Sequence, residues 1–161
     1  LIMMLLFTTA FAASPSFRTQ TLTALVETFD DHTEIRFNNV ANSVEPHKMN
    51  IAWMPDGYQT EFEEFHESRM IISAEGKNGE SLSIAATAIS KNRSYSFDTE
   101  GATEEPATVQ GNEATVYQMK TEDGDKITVL WTDMEKGWIV RVTGYNISKE
   151  DMLRISENIE I

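Results

Sequence analysis

From Ile51 to Thr143 the chain runs as short stretches of alternating apolar and polar residues, each closed by a tight-turn signal. The turns are Pro55-Asp56-Gly57, Gly76-Lys77-Asn78-Gly79, Gly111-Asn112, Asp123-Gly124 and the segment Asp133–Gly137. Glycine, asparagine and aspartate reach the backbone angles that hairpin turns need. Period-two alternation places every second side chain on one face of a strand. Parallel strands need crossovers of about a dozen residues or more, and there are no alternating β-α-β units here. The pattern therefore predicts an antiparallel meander and excludes a doubly wound fold.

The predicted strands are Tyr58–Ser68, Arg69–Ala74, Ser81–Ile89, Glu113–Lys120, Lys126–Thr132 and Trp138–Thr143. Leu82, Ile84, Ala86 and Ala88 share one face of the third. Ile127, Val129 and Trp131 alternate in the fifth, and Trp138, Val140 and Val142 in the last. Lys91–Pro106 reads as a polar, acidic connection with a short extended piece at Tyr95-Ser96-Phe97.

Helices are expected at both ends. Ser14-Pro15 is a helix start, because serine caps free N–H groups and proline suits the first helical position. Leu22, Leu25, Val26 and Phe29 follow at helical spacing, and the helix is expected to end around Asp30-Asp31-His32. Thr33–Phe37 then reads as a short strand with Ile35 and Phe37 inward, and Asn38–Lys48 as a loop. At the other end Ser148 is a cap with Asp151 three residues on, and Ile147 and Met152 occupy the hydrophobic-staple positions. Met152, Ile155 and Ile159 form the apolar stripe of that helix, widened by Leu153. The expected fold class is α+β: a curved antiparallel sheet of about six to eight strands, with an N-terminal and a C-terminal amphipathic helix packed on one face.

The first thirteen residues, Leu1 to Ala13, carry no charge. They are too few to span a bilayer, which takes roughly twenty residues. They read as the outer part of a transmembrane helix or as a signal segment, with Ala10-Phe11-Ala12 resembling a cleavage site. A core segment is the competing reading. Residues 14–161 are then expected to form a single extracytoplasmic α+β domain.

Composition narrows the chemistry. Thirteen basic against 26 acidic residues give a net charge of −13. Nucleic-acid binding needs a basic face, and docking on anionic lipid needs a polybasic patch, so neither is expected. The chain has no cysteine. Disulfides, thiol catalysis and cysteine-based zinc or iron–sulfur sites are thereby excluded.

Several stretches together resemble a known family. They are Phe29-Asp30-Asp31-His32-Thr33-Glu34-Ile35-Arg36-Phe37, Trp53-Met54-Pro55-Asp56-Gly57-Tyr58, Phe97-Asp98-Thr99-Glu100 before Val109-Gln110-Gly111, and the run from Leu130-Trp131-Thr132-Asp133 to Ile159. The chain is similar over nearly its whole length to extracytoplasmic domain-of-unknown-function family 4367 of Gram-positive bacteria. The resemblance implies a single membrane span before Ser14 and a domain facing the extracellular side of the cell membrane. It carries no established activity and no catalytic residues. A fainter likeness is to the C-terminal domain of periplasmic regulators that bind anti-sigma factors.

No motif assigns a reaction. His32, His47 and His66 do not pair at helical spacing, so no helix-borne metal motif exists. Asp30-Asp31-His32 reads as a helix end rather than a metal site. Glu61, Glu63, Glu64 and Glu67 read as a charged edge guarding against strand pairing, with cation or basic-peptide binding as the alternative. Glu122-Asp123-Gly124-Asp125 lacks the spacing of a calcium loop. No nucleophile elbow or phosphate loop occurs. No cofactor and no metal are expected. The candidate interaction surface is Trp53, Tyr58, Trp131 and Trp138; the last two lie near opposite ends of one predicted hairpin and could meet across it. As core anchors they stabilise a sheet; as a surface they would grip a partner or an apolar ligand.

The expected function is thus non-enzymatic: sensing or protein–protein interaction at the cell envelope. The alternatives are a carrier of an apolar ligand or lipid in a concave sheet, and a carboxylate-dependent cell-wall hydrolase.

Overall fold

The computed structural model describes residues 24–28, 32–37, 48–90 and 94–161. The apolar start, the Ser14-Pro15 helix cap, Asp30-Asp31 and most of the Asn38–Lys48 loop lie outside the described residues. Two compact units divide the chain, one built from residues up to Asn42 with Ile89–Glu100, the other from Ser43–Ala88 with Gly101–Ile161.

The first unit contains a three-stranded antiparallel sheet of β1 (Ala24–Thr28), β2 (His32–Phe37) and β7 (Ser94–Asp98), in the order β1-β2-β7. Thr33, Ile35 and Phe37 are buried, so the alternation expected for this strand holds. Phe37 meets Tyr95 edge-to-face, with centroids 5.8 Å apart. The N-terminal helix needs correcting. Leu25 and Val26, assigned to it by spacing, lie in β1, and all of Ala24–Thr28 pair with Thr33–Phe37. The apolar spacing here is helical, and cross-strand pairing overrides it. Among the described residues there is one helix, at the C-terminus.

The second unit contains β3 (Asn50–Ile51), β4 (Gln59–His66), β5 (Arg69–Glu75), β6 (Ser81–Ala88), β8 (Thr103–Val109), β9 (Asn112–Thr121), β10 (Gly124–Asp133), β11 (Trp138–Tyr145), α1 (Lys149–Glu157) and β12 (Ile159–Glu160). Seven of these strands form one antiparallel sheet in the order β4-β5-β6-β11-β10-β9-β8. Helix α1 packs against β8, β10 and β11. One face of the sheet carries the core, including Met70 and Ile72, Leu82, Ile84 and Ala86, Val129 and Trp131, and Trp138, Val140 and Val142. Met152 and Ile155 of α1 close over it. The alternation read in β6, β10 and β11 is the alternation of this face.

Two of the turns sit one residue before their expected places. Val109 pairs with Asn112, so the turn is Gln110-Gly111 rather than Gly111-Asn112. Thr121 pairs with Gly124, so the next is Glu122-Asp123. Thr103–Pro106, read as part of a polar connection, is strand because it pairs with β9; Pro106 is tolerated at a sheet edge.

Helix α1 starts as expected. The Ser148 hydroxyl accepts from the Asp151 N–H at 3.1 Å and donates to its carboxylate at 2.8 Å. It ends earlier than its apolar stripe. Ile159 is buried, but in β12, where it pairs with Ile51.

Gln110 holds this end in place. Its side-chain amide donates to the Ile159 carbonyl at 2.6 Å and the Ser156 carbonyl at 3.1 Å, and its N–H donates to the Glu157 carboxylate at 3.0 Å. Gln110 occupies φ 51°, a conformation glycine adopts more easily. The hydrogen bonds offset that strain. Gln110→Ala should therefore cost about 1–3 kcal/mol in chemical denaturation, since it strands helix-end carbonyls and keeps the strained φ. Gln110→Gly should cost less, because it relieves the φ.

Candidate interaction surface

Trp53 and Tyr58 are brought to one region of the surface; Trp131 and Trp138 are not. Trp131 is 2% exposed and Trp138 0%, and both belong to the core of the seven-stranded sheet. They do lie near each other across the β10–β11 hairpin, where Trp131 pairs with Val140 and Trp138 with Asp133. Their surface is spent on packing.

Trp53 and Tyr58 are half-buried, each with one side on the core. Their placement follows from β3. The Ala52 N–H donates to the Asn158 carbonyl at 2.8 Å, which lays the following residues along α1. The Arg154 guanidinium then stacks over the Trp53 ring, 3.9 Å from its centroid. A cation over an indole face is held by the ring quadrupole. The chain turns back at Pro55-Asp56-Gly57, where Gly57 has φ 97°. A Cβ there would collide with the side chain of Lys77, at 2.8 Å from its Cε. The positive φ favours glycine at this position, whereas the flexible lysine stem could move aside.

Tyr58 follows the turn. Burial first, then the negative charges of Glu80 and Asp151, raise its phenol above the usual tyrosine range. Glu80 is itself held below the usual carboxylate range by Asn78, whose backbone N–H donates to it at 2.8 Å and whose side-chain amide donates at 3.1 Å. Asp151 and Arg154 are three residues apart on α1 and so share a face of the helix. From that face the Asp151 charge acts on Tyr58 and the Arg154 guanidinium stacks on Trp53. Spectrophotometric titration should show Tyr58 ionising at higher pH than an exposed tyrosine. Tyr58→Phe should remove that late component and leave the remainder of the curve in place.

The other singled-out groups are dispersed. His66 pairs with Glu64 at 2.7 Å on β4, His32 opens β2, and His47 lies outside the described residues. Glu61 and Glu63 are exposed on β4. Glu122-Asp123 is a hairpin turn, with Asp125 3.9 Å from Lys120. Among the described residues no three His, Asp or Glu side chains converge to hold a metal. No described helix is long and apolar enough to cross a membrane.

Arg154 was not recognised in the sequence as part of this surface. Its signal was weak: an exposed position on the helix, whose proximity to Trp53 depends on a chain separation of about a hundred residues closing in space.

The unit that carries these residues is an antiparallel sheet with one covering helix among the described residues. Residues 48–159 match the family described as Domain of unknown function (DUF4367), and the chain belongs to that family. The match spans most of the seven-stranded unit's sequence, including β3 to β6 and β8 to α1. No curated protein and no solved structure matches.

Proposed function

We propose that this chain is the extracytoplasmic part of a membrane-anchored protein and acts without chemistry of its own, by binding another protein at the cell envelope. The observation that carries the reading is the half-buried Trp53 under the Arg154 guanidinium, with Tyr58 across the helix face. Tryptophan, tyrosine and arginine are the residue types in which binding energy concentrates at protein interfaces. Here all three are set on a helix and a turn tied to the sheet, so little conformational freedom is lost on docking. The uncharged first thirteen residues support the membrane attachment.

The test is cross-linking on intact cells followed by capture of the tagged chain. A single protein recovered repeatedly with the wild type and lost with both Trp53→Ala and Arg154→Ala is the expected result. Arg154→Ala should keep the wild-type melting temperature within a few degrees, since a cation–π pair near the surface contributes only about 0.5–1 kcal/mol; Trp53→Ala also gives up packing on the core, so its capture is read below its own melting temperature. Equal recovery with both variants would remove the surface from the proposal. Protease added outside intact cells should degrade the domain; full protection would remove the extracytoplasmic placement.

A further inference from the structure

The seven-stranded sheet has two edges, and they are built differently. At β8, Pro106 lacks an N–H to donate, Glu105 is tied to Lys149 of the helix, and Val109 is buried. At β4 the backbone from Phe62 to His66 pairs with β5 on one side, and β4 ends the strand order on the other. The register shift between Thr60 and Phe62 makes Glu61 the irregular residue, after which pairing is regular. Phe62 is 50% exposed and is the large hydrophobic side chain most open to solvent among the described residues. Its cross-strand partner is Ser73.

Among the described residues no strand pairs with the outer side of β4, and an unpaired strand edge with an exposed aromatic is a template for an added strand. The carboxylates of Glu61, Glu63, Glu64 and Glu67 determine the sign of what can be added. They repel a second copy of the same edge, and also β8 with its Glu104 and Glu105. They admit an extended segment of opposite charge. Specificity arises in this way when a surface rejects the wrong partner as well as attracting the right one.

We propose that the β4 edge from Phe62 to His66 receives an extended, lysine- or arginine-rich segment of a partner protein as an eighth strand, with Phe62 as its apolar anchor. Backbone hydrogen bonds hold the segment, and the carboxylates pair with its basic side chains. This goes beyond the binding role assigned to the Trp53 surface and uses different residues.

The probe is a synthetic peptide of about six residues, a typical strand length, alternating lysine with valine. Three peptides are titrated into the purified chain: this one, its glutamate counterpart, and a lysine peptide of equal charge interrupted by proline, which cannot join a sheet. The expected result is binding of the first alone, with amide hydrogen exchange slowed at Phe62–His66. Phe62→Ala should weaken it by about tenfold, the scale of a modest hot spot. Glu61→Lys with Glu63→Lys should transfer the preference to the glutamate peptide. Both changes are at exposed positions, and melting curves verify that the fold is kept. Equal binding of the proline peptide would reduce the effect to bulk charge and overturn the proposal. So would protection elsewhere, or no binding at all. Because the titration reads β4 in the chain alone, its failure is distinguishable from failure to capture a partner on the Trp53 surface.

Discussion

Trp138→Ala should lower stability by about 3–5 kcal/mol, the usual cost of emptying a large aromatic from a core. In a chain of this size that corresponds to a fall of roughly 10 °C in melting temperature. Trp138 is fully buried at the start of β11, paired with Ala88 of β6 on one side and Asp133 of β10 on the other. Both neighbours on its flanks are short, so no adjacent chain can fold into the void. Its indole N–H is buried without a hydrogen-bond partner. An unpaired buried donor costs about 1–3 kcal/mol. Trp138→Phe loses part of the ring but also removes that donor. It should therefore cost less than half as much as alanine. Thermal and urea denaturation of the two variants checks both halves. Equal losses would mean that the N–H is satisfied in solution, by water for example.

Met152→Ala should cost about 2–5 kcal/mol, for a related reason on the opposite layer. Met152 is fully buried on α1 and reaches over the sheet to Gly144 of β11. A Cβ at Gly144 would collide with the Met152 sulfur and come within 2.9 Å of the Ile147 Cδ1. The glycine is there so that the helix can sit close to the strand. Gly144→Ala should therefore cost about 1–3 kcal/mol by overpacking. The two changes should not add. With Met152 shortened, the new methyl group occupies part of the vacated space. The double variant should be more stable than the sum of the single losses by a margin outside the few tenths typical of independent sites. Simple additivity would show that α1 moves as a body to relieve each change separately.

The core face of the large sheet was legible because alternation is a local property. Ile127, Val129 and Trp131, or Trp138, Val140 and Val142, announce one face by spacing alone, whatever packs on it. The cap of α1 was legible for the same reason, since Ser148 and Asp151 meet within one turn. Turn positions were legible only to within a residue. Gly111 and Gly124 mark where a chain turns, but register comes from the pairing of whole strands, and it moved both turns. Leu22, Leu25, Val26 and Phe29 have helical spacing, yet Ala24–Thr28 pair with β2, because cross-strand pairing overrides local periodicity.

The candidate surface divides along the same line. Four aromatics looked equivalent in the sequence, and burial separates them: Trp131 and Trp138 fill the core, while Trp53 and Tyr58 keep a solvent side. Arg154 joins Trp53 across about a hundred residues of chain, and Gln110 latches a helix end nearly fifty residues on.

Taken by itself, then, the sequence determined an acidic, cysteine-free antiparallel meander with a capped C-terminal helix, and the family to which it belongs. These follow from neighbours along the chain, where periodicity, turn chemistry and charge act directly. The tertiary structure alone decided which strands end the large sheet among the described residues, which tryptophan keeps a solvent side and which cation stacks on it. Those depend on residues far apart in the chain meeting through packing, and no local pattern encodes that meeting.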